Sequence, residues 1–330
     1  MSDSMYASIN KNNTVAQKCS TDAPDVCVLE ATDADEHADN LRDWQQQYDQ
    51  VSHGPFHGKI EELSSQHLHV FREHTSQSVR QQCNVWSNSV WLGFAANGQS
   101  CRINGQQVNH QQLMVRPGDT QFELVTPEQF DIYGIVINLD ALSDAAEEDD
   151  SEFDKTIQSS LIKEWHPEKL ARMKSTLNGW LAPNEQQSVD SFQQDNLMTA
   201  VLDILNYADP VTAKMPSFKR RLAVVNTVKD YLEAHSARTI TISELCELCH
   251  VSRRTLQYSF EDVLGMSPLK YIRLSRLNGV RRHLLMGLED GETIAMVAER
   301  WGFLHAGQFS HDYTELFAEN PSITLLRQRY

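Results

Sequence analysis

Arg254, Gln257 and Tyr258 have the i, i+3 and i+4 spacing of one helical face. Arg and Gln side chains have the forked donors and acceptors that bind the edges of base pairs in the major groove of DNA. Arg253 precedes them near the start of the same segment, where a phosphate or a base is within reach. This face predicts contact with nucleic acid, and ordinary solvated surface charge is the alternative.

The elements that must present this face are two short helices joined by a turn. Ser243 is suited to cap the first helix, and Ser252 is suited to cap the second. On the second helix Leu256 and Phe260 lie four residues apart, so they face a core while the polar face points away from it. The pattern predicts a helix-turn-helix unit over residues 242–263.

A second copy of the pattern follows about 52 residues later and predicts another helix-turn-helix unit over residues 294–317. One copy of such a pattern is weak evidence for a helix-turn-helix unit, but two copies at this separation are strong evidence. The exposed face of the second recognition helix carries Gln308 and His311, and His305 stands near its start. Because the same face also includes Ala306, Gly307 and Asp312, it is poor in base-reading groups, and we expect it to bind DNA less specifically than the first.

Between the two units, residues 268–285 predict one long helix, with Pro268 suited to its first turn. At about 1.5 Å per residue, this helix is roughly 27 Å long. Successive major grooves on one side of B-DNA lie about 34 Å apart. The helix is therefore suited to hold two recognition helices near that spacing, especially on bent DNA. We expect some of its arginines to pair with acids and others to face phosphates: Arg273, Arg276, Arg281 and Arg282.

Residues of both units and of the helix between them carry a family resemblance: Leu245, Cys246, Val251, Ser252, Arg253, Leu256, Phe260, Leu264, Gly265, Pro268, Tyr271, Arg276, Leu277, Leu284, Leu285, Ile294, Ala298, Gly302, Phe303, Gln308, Phe309, Tyr313, Phe317, Pro321 and Ser322. Over about the last 110 residues the chain resembles the DNA-binding domain of the AraC/XylS family of bacterial transcription regulators. The resemblance implies a sequence-specific regulator with promoter DNA and RNA polymerase as partners. His311 departs from it, because the family usually has Arg at that position.

The net charge of −16 is divided unevenly between the two halves of the 330-residue chain. Residues 218–330 contain 15 Lys and Arg against 13 Asp and Glu, a net charge of +2, which leaves −18 for residues 1–217. The acidic half should avoid DNA. The mean hydropathy of −0.47 and the polar amino terminus predict a cytoplasmic protein with no transmembrane helix and with thiol cysteines.

The segments ahead of the second half predict an α+β chain. Short alternating segments separated by turns, such as Asn104-Gly105, are typical of a small barrel or sandwich. The turn at residues 116–119 favours a cupin-like β-barrel or jelly roll. Five parts are expected in chain order: a disordered acidic tail (1–40), a cupin-like sensor domain (41–145), a helical annex that packs on the sensor or forms a dimer (146–208), a linker (209–222) and the DNA-binding domain (223–330).

A narrower resemblance runs through the first half, in residues 43–50, 56–58, 70–75, 80–91 and 116–119. These segments resemble regulators of ethanolamine-utilisation operons. The resemblance implies an activator that senses ethanolamine together with adenosylcobalamin, which would be an effector and not a covalently bound cofactor. A regulator of another amine or catabolic operon is the alternative.

The candidate effector-binding residues combine aromatic rings with charged groups: Trp86, Trp91, Arg72, Glu73, Arg80 and Glu123. Aromatic faces attract an ammonium group through cation–π interactions, and a carboxylate neutralises its charge. Core packing is the alternative for the aromatic residues.

Two motifs suggest other chemistry. Cys246, Cys249 and His250 match the C-x-x-C-H pattern of covalent haem, but both cysteines fall on a helix that must pack. His67 and His69 form a pair found in cupin metalloenzymes, yet a metal needs three or four convergent ligands and no such set is evident. We therefore expect neither a metal site nor an enzyme. A constitutive regulator whose front domain only dimerises is a further alternative.

Overall fold

The computed structural model describes residues 26–65, 67–146, 161–182, 191–207, 209–210, 216–235, 238 and 240–327. Within these ranges the α+β prediction is confirmed, with most strands in the first half of the chain. The strands are β1 (Cys27–Ala31), β2 (Gln45–Gln50), β3 (Gly58–Ser64), β4 (Leu68–Thr75), β5 (Val79–Asn84), β6 (Ser89–Ala95), β7 (Cys101–Ile103), β8 (Gln106–Val108), β9 (Gln112–Pro117), β10 (Phe122–Thr126), β11 (Phe130–Asn138), β12 (Leu161–Glu164) and β13 (Asp209–Pro210).

The helices flank the strands in the first half and form all of the described second half. They are α1 (Ala34–Asp39), α2 (Leu139–Ala146), α3 (Pro167–Trp180), α4 (Ser191–Tyr207), α5 (Pro216–Ala234), α6 (Ile242–Cys249), α7 (Arg253–Leu264), α8 (Pro268–Met286), α9 (Ile294–Arg300), α10 (Ala306–Phe317) and α11 (Pro321–Leu326). None of the described helices is long and apolar enough to cross a bilayer.

The strands of the front domain form two antiparallel sheets. The large sheet has the order β1-β3-β4-β11-β6-β9-β12-β13, and the small sheet has the order β2-β5-β10-β7-β8. Apolar side chains from both sheets meet between them, among them Phe71, Trp91, Ile103 and Phe122. A closed barrel is therefore wrong for this domain, which is a two-sheet sandwich, and the cupin-like jelly roll stays a prediction.

The hairpin turn predicted at Asn104 and Gly105 is confirmed. Both residues have positive φ, 47° and 72°, as a type I′ turn requires. The turn joins β7 to β8, whose ends pair Ile103 with Gln106. It projects from the small sheet towards the second half of the chain.

A third layer of helices covers the outer face of the large sheet. Leu177 of α3 and Val201 of α4 share an apolar core with Val70 and Ile135 of the sheet. The helical annex therefore packs on its own front domain over its described residues. One annex segment is a strand instead: β12 pairs with β9, which places Ile162 opposite Met114. A short apolar run of this kind has no clear helical or extended period, so long-range pairing decides its structure.

Two predicted boundaries are wrong where the structure describes them. Residues 27–39 of the expected tail form β1 and α1, and β1 pairs with β3; residues 1–25 lie outside the described residues. The expected linker is helical from Pro216 onwards, since α5 begins there. The expectation of thiols is also wrong for Cys27, which is disulfide-bonded, whereas four cysteines are free: Cys83, Cys101, Cys246 and Cys249.

The helices of both predicted helix-turn-helix units are present, α6–α7 and α9–α10. Ser252 caps α7 as expected, because its side chain accepts from the amide of Thr255 at 3.1 Å. The cap of α6 is Thr241, which accepts from the Glu244 amide at 3.2 Å, and not Ser243. Ser243 Oγ accepts from Arg253 across the unit instead.

The turns of the two units use the same left-handed backbone position. His250 and Gly302, 52 residues apart, have φ of 53° and 83°. The long helix α8 has 19 residues, a length of about 28 Å, and begins at Pro268 after a Ser267 cap. The predicted spacer between the units is therefore confirmed to within one residue.

The observed caps predict an order of stability for two variants. Thr241→Ala should lower the free energy of unfolding of the full chain by about 1 kcal/mol, because the Glu244 amide loses its partner. Ser243→Ala removes only an exposed hydrogen bond and should cost less. Urea unfolding followed by circular dichroism measures both, and a larger loss for Ser243→Ala would contradict the assigned cap.

Candidate nucleic-acid interface and ligand cavity

The first recognition helix, α7, separates its core face from its polar face as predicted. Leu256 and Phe260 are fully buried. Arg254 and Tyr258 are exposed, and Gln257 is half-buried. A polar face of this kind is accessible to base edges in a major groove.

Arg254 and Tyr258 form one unit on the surface of α7. The Arg254 guanidinium donates to Tyr258 Oη at 3.1 Å and lies 5.3 Å from the centre of its ring. Gln257 Nε2 donates to Glu261 Oε1 at 2.6 Å. These local partners order the side chains and are on the surface, so a nucleic acid can replace them.

Arg253 and Ser252 lie at the exposed start of α7. Arg253 donates to Ser243 Oγ at 2.7 Å and so joins the two helices of the unit. The amino terminus of a helix attracts a phosphate through its free amides and dipole. The placement of Arg253 therefore suits the predicted contact with a phosphate or a base.

On the second recognition helix, α10, the candidate residues His305, Gln308 and His311 are all exposed. Gln308 Nε2 donates to Asp312 Oδ1 at 2.6 Å. Asp312 itself is 5% exposed and pairs with Arg273 of α8. Its expected place on the exposed face is therefore wrong, because α8 supplies an arginine that draws the carboxylate inward. Its negative charge does not face the solvent.

The four arginines of α8 all have protein partners. Besides the Arg273 pair, Arg276 donates to the carbonyl of Arg238 at 2.6 Å. Arg281 pairs with Asp33, and Arg282 pairs with acids of the front domain. The expectation that some pair with acids is confirmed, and the expected phosphate-facing role has no support from these contacts.

A cavity lies between the two sheets of the front domain. Its free space is about that of one water molecule. Both sheets contribute aromatic, apolar and polar side chains: Leu41, Trp44, Gln46, Tyr48, Phe71, Glu73, Gln81, Cys83, Trp91, Phe122, Leu124 and Ile132.

The cavity combines a buried carboxylate with unused donors. Glu73, 3% exposed, accepts from Tyr48 Oη at 2.8 Å and contacts a histidine nitrogen of α1 at 3.1 Å. Three buried N–H groups have no hydrogen-bond partner: the indole nitrogens of Trp44 and Trp91, and Nε2 of Gln81. A buried donor without a partner costs stability, so such groups are more typical of a binding site than of a finished core.

The predicted effector residues do not all share this cavity. Trp91 and Glu73 line it. Trp86 instead stacks beside His69, with ring centres 6.0 Å apart. Arg72 follows the strand alternation to the other face of β4 and binds Asp131 at 2.9 Å.

Arg80 and Glu123, also predicted for the effector site, lie on the outer face of the small sheet. They bind each other at 3.0 Å. Their neighbours in sequence, Gln81 and Leu124, point to the cavity instead. Because alternate residues of a strand face opposite ways, Arg80 and Glu123 do not line the cavity that Gln81 and Leu124 face.

Sequence analysis missed Gln46, Tyr48 and Gln81 as cavity residues. β2 reads as six mostly polar residues with no apolar alternation, so it has no visible strand pattern. β5 is also polar, and only its pairing with β2 and β10 shows which residues face inward.

The rival motifs have local explanations. His69 lies on β4 and contacts Glu62 at 3.0 Å in the interior. No group of three or more His, Cys, Asp or Glu side chains is arranged to hold a metal ion within the described ranges. Cys246 and Cys249 pack on the core of the first helix-turn-helix unit.

The unpaired side-chain amide of Gln81 can be tested by comparing substitutions of two buried glutamines, Gln81 and Gln112. Gln81→Met should raise the free energy of unfolding by about 1 kcal/mol, since an unsatisfied buried donor is removed. Gln112→Met should lower it, because Gln112 Nε2 donates to Glu164 at 3.0 Å. Urea unfolding followed by tryptophan fluorescence distinguishes the two, and destabilisation by Gln81→Met would contradict the assignment of an unused donor.

The helical second half of the chain is similar to known helix-turn-helix proteins, as predicted. A family model described as a helix-turn-helix domain matches residues 245–327. The "Probable thc operon regulatory protein" of Rhodococcus erythropolis is 35% identical over 99 residues, which cover 30% of this chain and 30% of that protein. The "XylDLEGF operon transcriptional activator 2" of Pseudomonas putida is 38% identical over 98 residues, 30% of this chain and 62% of that protein.

Among solved structures, a probable AraC family transcriptional regulator from Rhodopseudomonas palustris is 34% identical. It matches 33% of this chain and 99% of its own, with a TM-score of 0.30, and nothing about the whole fold rests on it. The chain spans less than two thirds of the length of the two curated relatives named above. Residues 245–327 of this chain therefore match a helix-turn-helix domain and are similar to part of these transcription regulators.

Proposed function

We propose that the protein is a regulator, not an enzyme: a cytoplasmic, DNA-binding activator of transcription that responds to a small-molecule effector. One observation carries the proposal. Two helix-turn-helix units, each with an exposed polar face on its second helix, are joined by the single helix α8. RNA polymerase and a second copy of the chain are the proposed protein partners at the promoter.

The proposed DNA contacts follow from the two recognition helices. α7 enters one major groove, where Arg254 and Gln257 read base edges and Arg253 contacts a phosphate. α10 enters the next groove with Gln308 and His311. The helix α8 is about 28 Å long, which is shorter than the roughly 34 Å between successive major grooves on one side of straight DNA. Bending of the DNA towards the protein would shorten that distance and let both recognition helices bind.

The proposed effector site is the cavity between the sheets. A small amine such as ethanolamine suits its chemistry, because Glu73 neutralises an ammonium group and the rings of Trp44 and Trp91 attract it. The unused indole N–H groups then donate to a hydroxyl oxygen of the ligand. The relatives named above regulate other operons by their names, so this effector is supported by the resemblance and the cavity alone.

Entry of an organic ligand requires the strands around the cavity to move apart, since the free space is only about one water molecule. Adenosylcobalamin is far larger and is proposed to bind elsewhere on the front domain. Ligand entry would displace β2, β5 and β10, whose other faces carry residues that contact the DNA-binding domain. This is the proposed link between effector and DNA.

Loss of a base-reading group should relax sequence preference. Arg254→Ala is expected to cost about 1–3 kcal/mol on the preferred duplex and to remove discrimination at one base pair. Affinity for variants of a selected duplex, measured at fixed salt, tests this. Arg238→Ala, which breaks an ion pair with Glu244 of α6, outside the recognition helices, is the control. Unchanged base preference in Arg254→Ala would count against the assigned face.

The effector proposal predicts that charge decides binding. Titration calorimetry with ethanolamine, alone and with adenosylcobalamin, should show heat that the neutral isostere ethylene glycol does not produce. Glu73→Gln should weaken binding by at least about tenfold, a change of about 1.4 kcal/mol. Asp131→Asn, which alters an acid outside the cavity, should not. Absence of heat with every ligand would favour a front domain that only dimerises.

A further inference from the structure

The small sheet contacts the first helix-turn-helix unit at its β7–β8 end. Arg102 of β7 donates to the carbonyl of Asp262 in α7 at 3.1 Å. The turn residue Gly105 lies so close to α7 that an added Cβ would be 2.5 Å from a methyl carbon of Val263. This end of the sheet therefore rests directly on the first recognition helix.

The opposite edge of the same sheet contacts the second unit. Gln50 Nε2, at the end of β2, donates to the carbonyl of Leu316 in α10 at 2.8 Å. The amide of Gly54 donates to the same carbonyl at 3.0 Å. Val51 is buried in the apolar core of the second unit, beside Leu316. One sheet thus holds both recognition helices.

Between these ends the sheet is bound to α8. Arg80 donates to Tyr271 Oη at 3.0 Å, near the start of the helix. Asn278, near its middle, accepts from the Gln50 amide at 2.9 Å and donates to the Gln50 carbonyl at 2.9 Å. The Asn278 side chain thus pairs with the Gln50 backbone as a neighbouring strand would, and this pairing fixes the position of β2 along α8.

Charge reinforces the contact. Asp49 is 2% exposed and lies 2.7 Å from Arg80 and 2.8 Å from Arg282 of α8. Burial raises the pKa of the Asp49 carboxyl, but the two guanidinium groups outweigh burial, and the pKa lies below its usual 3.8. Glu123 joins Arg80 to Lys229 of α5. Asp49 therefore stays ionised and paired at neutral pH.

The two units do not share one core. The first packs around Leu256 and Phe260, and the second packs around Val297 and Tyr313. Met266 alone is a partly buried neighbour of both clusters. The relative orientation of the two units therefore depends on α8 and on contacts that other parts of the chain make with both units.

We infer that the front domain sets the distance and orientation between the two recognition helices, so that residues far from DNA determine which operator spacing the protein accepts. We call these residues the clamp: Asp49, Gln50, Gly54, Arg80, Arg102 and Glu123. The clamp deepens the proposed function and rests on it, because spacing matters only if both helices bind one duplex.

The test uses full-length variants with a matched control. The clamp variant, Lys229→Met with Arg282→Met, removes three ion pairs to the front domain while Arg80 still pairs with both Asp49 and Glu123. The control, Arg238→Met with Arg300→Met, removes two ion pairs inside the DNA-binding domain and outside its recognition helices, to Glu244 and Glu292.

Each protein selects binding sites from a pool of random-sequence duplexes. The parent and the control should enrich two half-sites at one spacing, and the clamp variant should enrich the same half-sites at several spacings. A single unchanged spacing in the clamp variant would overturn the inference. Failure of the parent to enrich any sequence would instead overturn the proposed function.

Amide hydrogen exchange tests the clamp without DNA. The amides of Gln50 and Gly54, which bind Asn278 and the Leu316 carbonyl, should exchange at least about tenfold faster in the clamp variant than in the parent or the control. Equal protection in all three proteins would refute the clamp whatever the selection gives. Peptides from α3, which lies on the far side of the large sheet, should keep their protection and so show that the variant is folded.

Discussion

The buried guanidinium of Arg80 is the interaction on which the arrangement of the molecule depends. It is 4% exposed and bound by Asp49 at 2.7 Å and Glu123 at 3.0 Å. It also donates to Tyr271 Oη and lies 5.2 Å from the centre of that ring. Removing an arginine from water costs several kcal/mol unless acids and hydrogen bonds replace the water. Tyr271 comes from α8, so part of that replacement exists only while the front domain is docked.

The alternation of residues along three strands gives the small sheet two roles. On β2, Tyr48 faces the cavity and Asp49 faces α8; on β5, Gln81 and Arg80 divide in the same way. A displacement of either strand on the cavity side is therefore a displacement on the other side as well. Close packing makes such movements hard to absorb within one sheet. The fold thus connects the proposed effector cavity to the DNA-binding domain without any long chain of intermediate contacts.

Local patterns predicted the helical half well. The apolar spacing, the Ser252 cap and the Pro268 start all belong to segments whose structure depends on near neighbours, and the repeat reinforced them. Local patterns could not predict the burial of Asp312, because its partner Arg273 lies on another helix, far away in the sequence.

The front domain shows the same limit more strongly. Its apolar strands alternate visibly, whereas β2 and β5 are polar on both faces. Arg80 and Glu123 were assigned to the effector site because their chemistry suits an organic ligand, yet the same chemistry suits a buried interface between domains. Which of these two environments Arg80 and Glu123 enter depends on how strands that are distant in the sequence pair with one another. The family match covers residues 245–327, so it includes Tyr271 on one side of this interface but not Arg80 or Glu123 on the other.

We propose that the two recognition helices bind one side of a duplex while the front domain holds them in a fixed relation. Hydroxyl-radical footprinting of the full chain on its selected duplex is the sharpest test. We expect two protected patches on one face of the DNA, about one helical turn of roughly 10 base pairs apart. A single patch, or two patches on opposite faces, would contradict it.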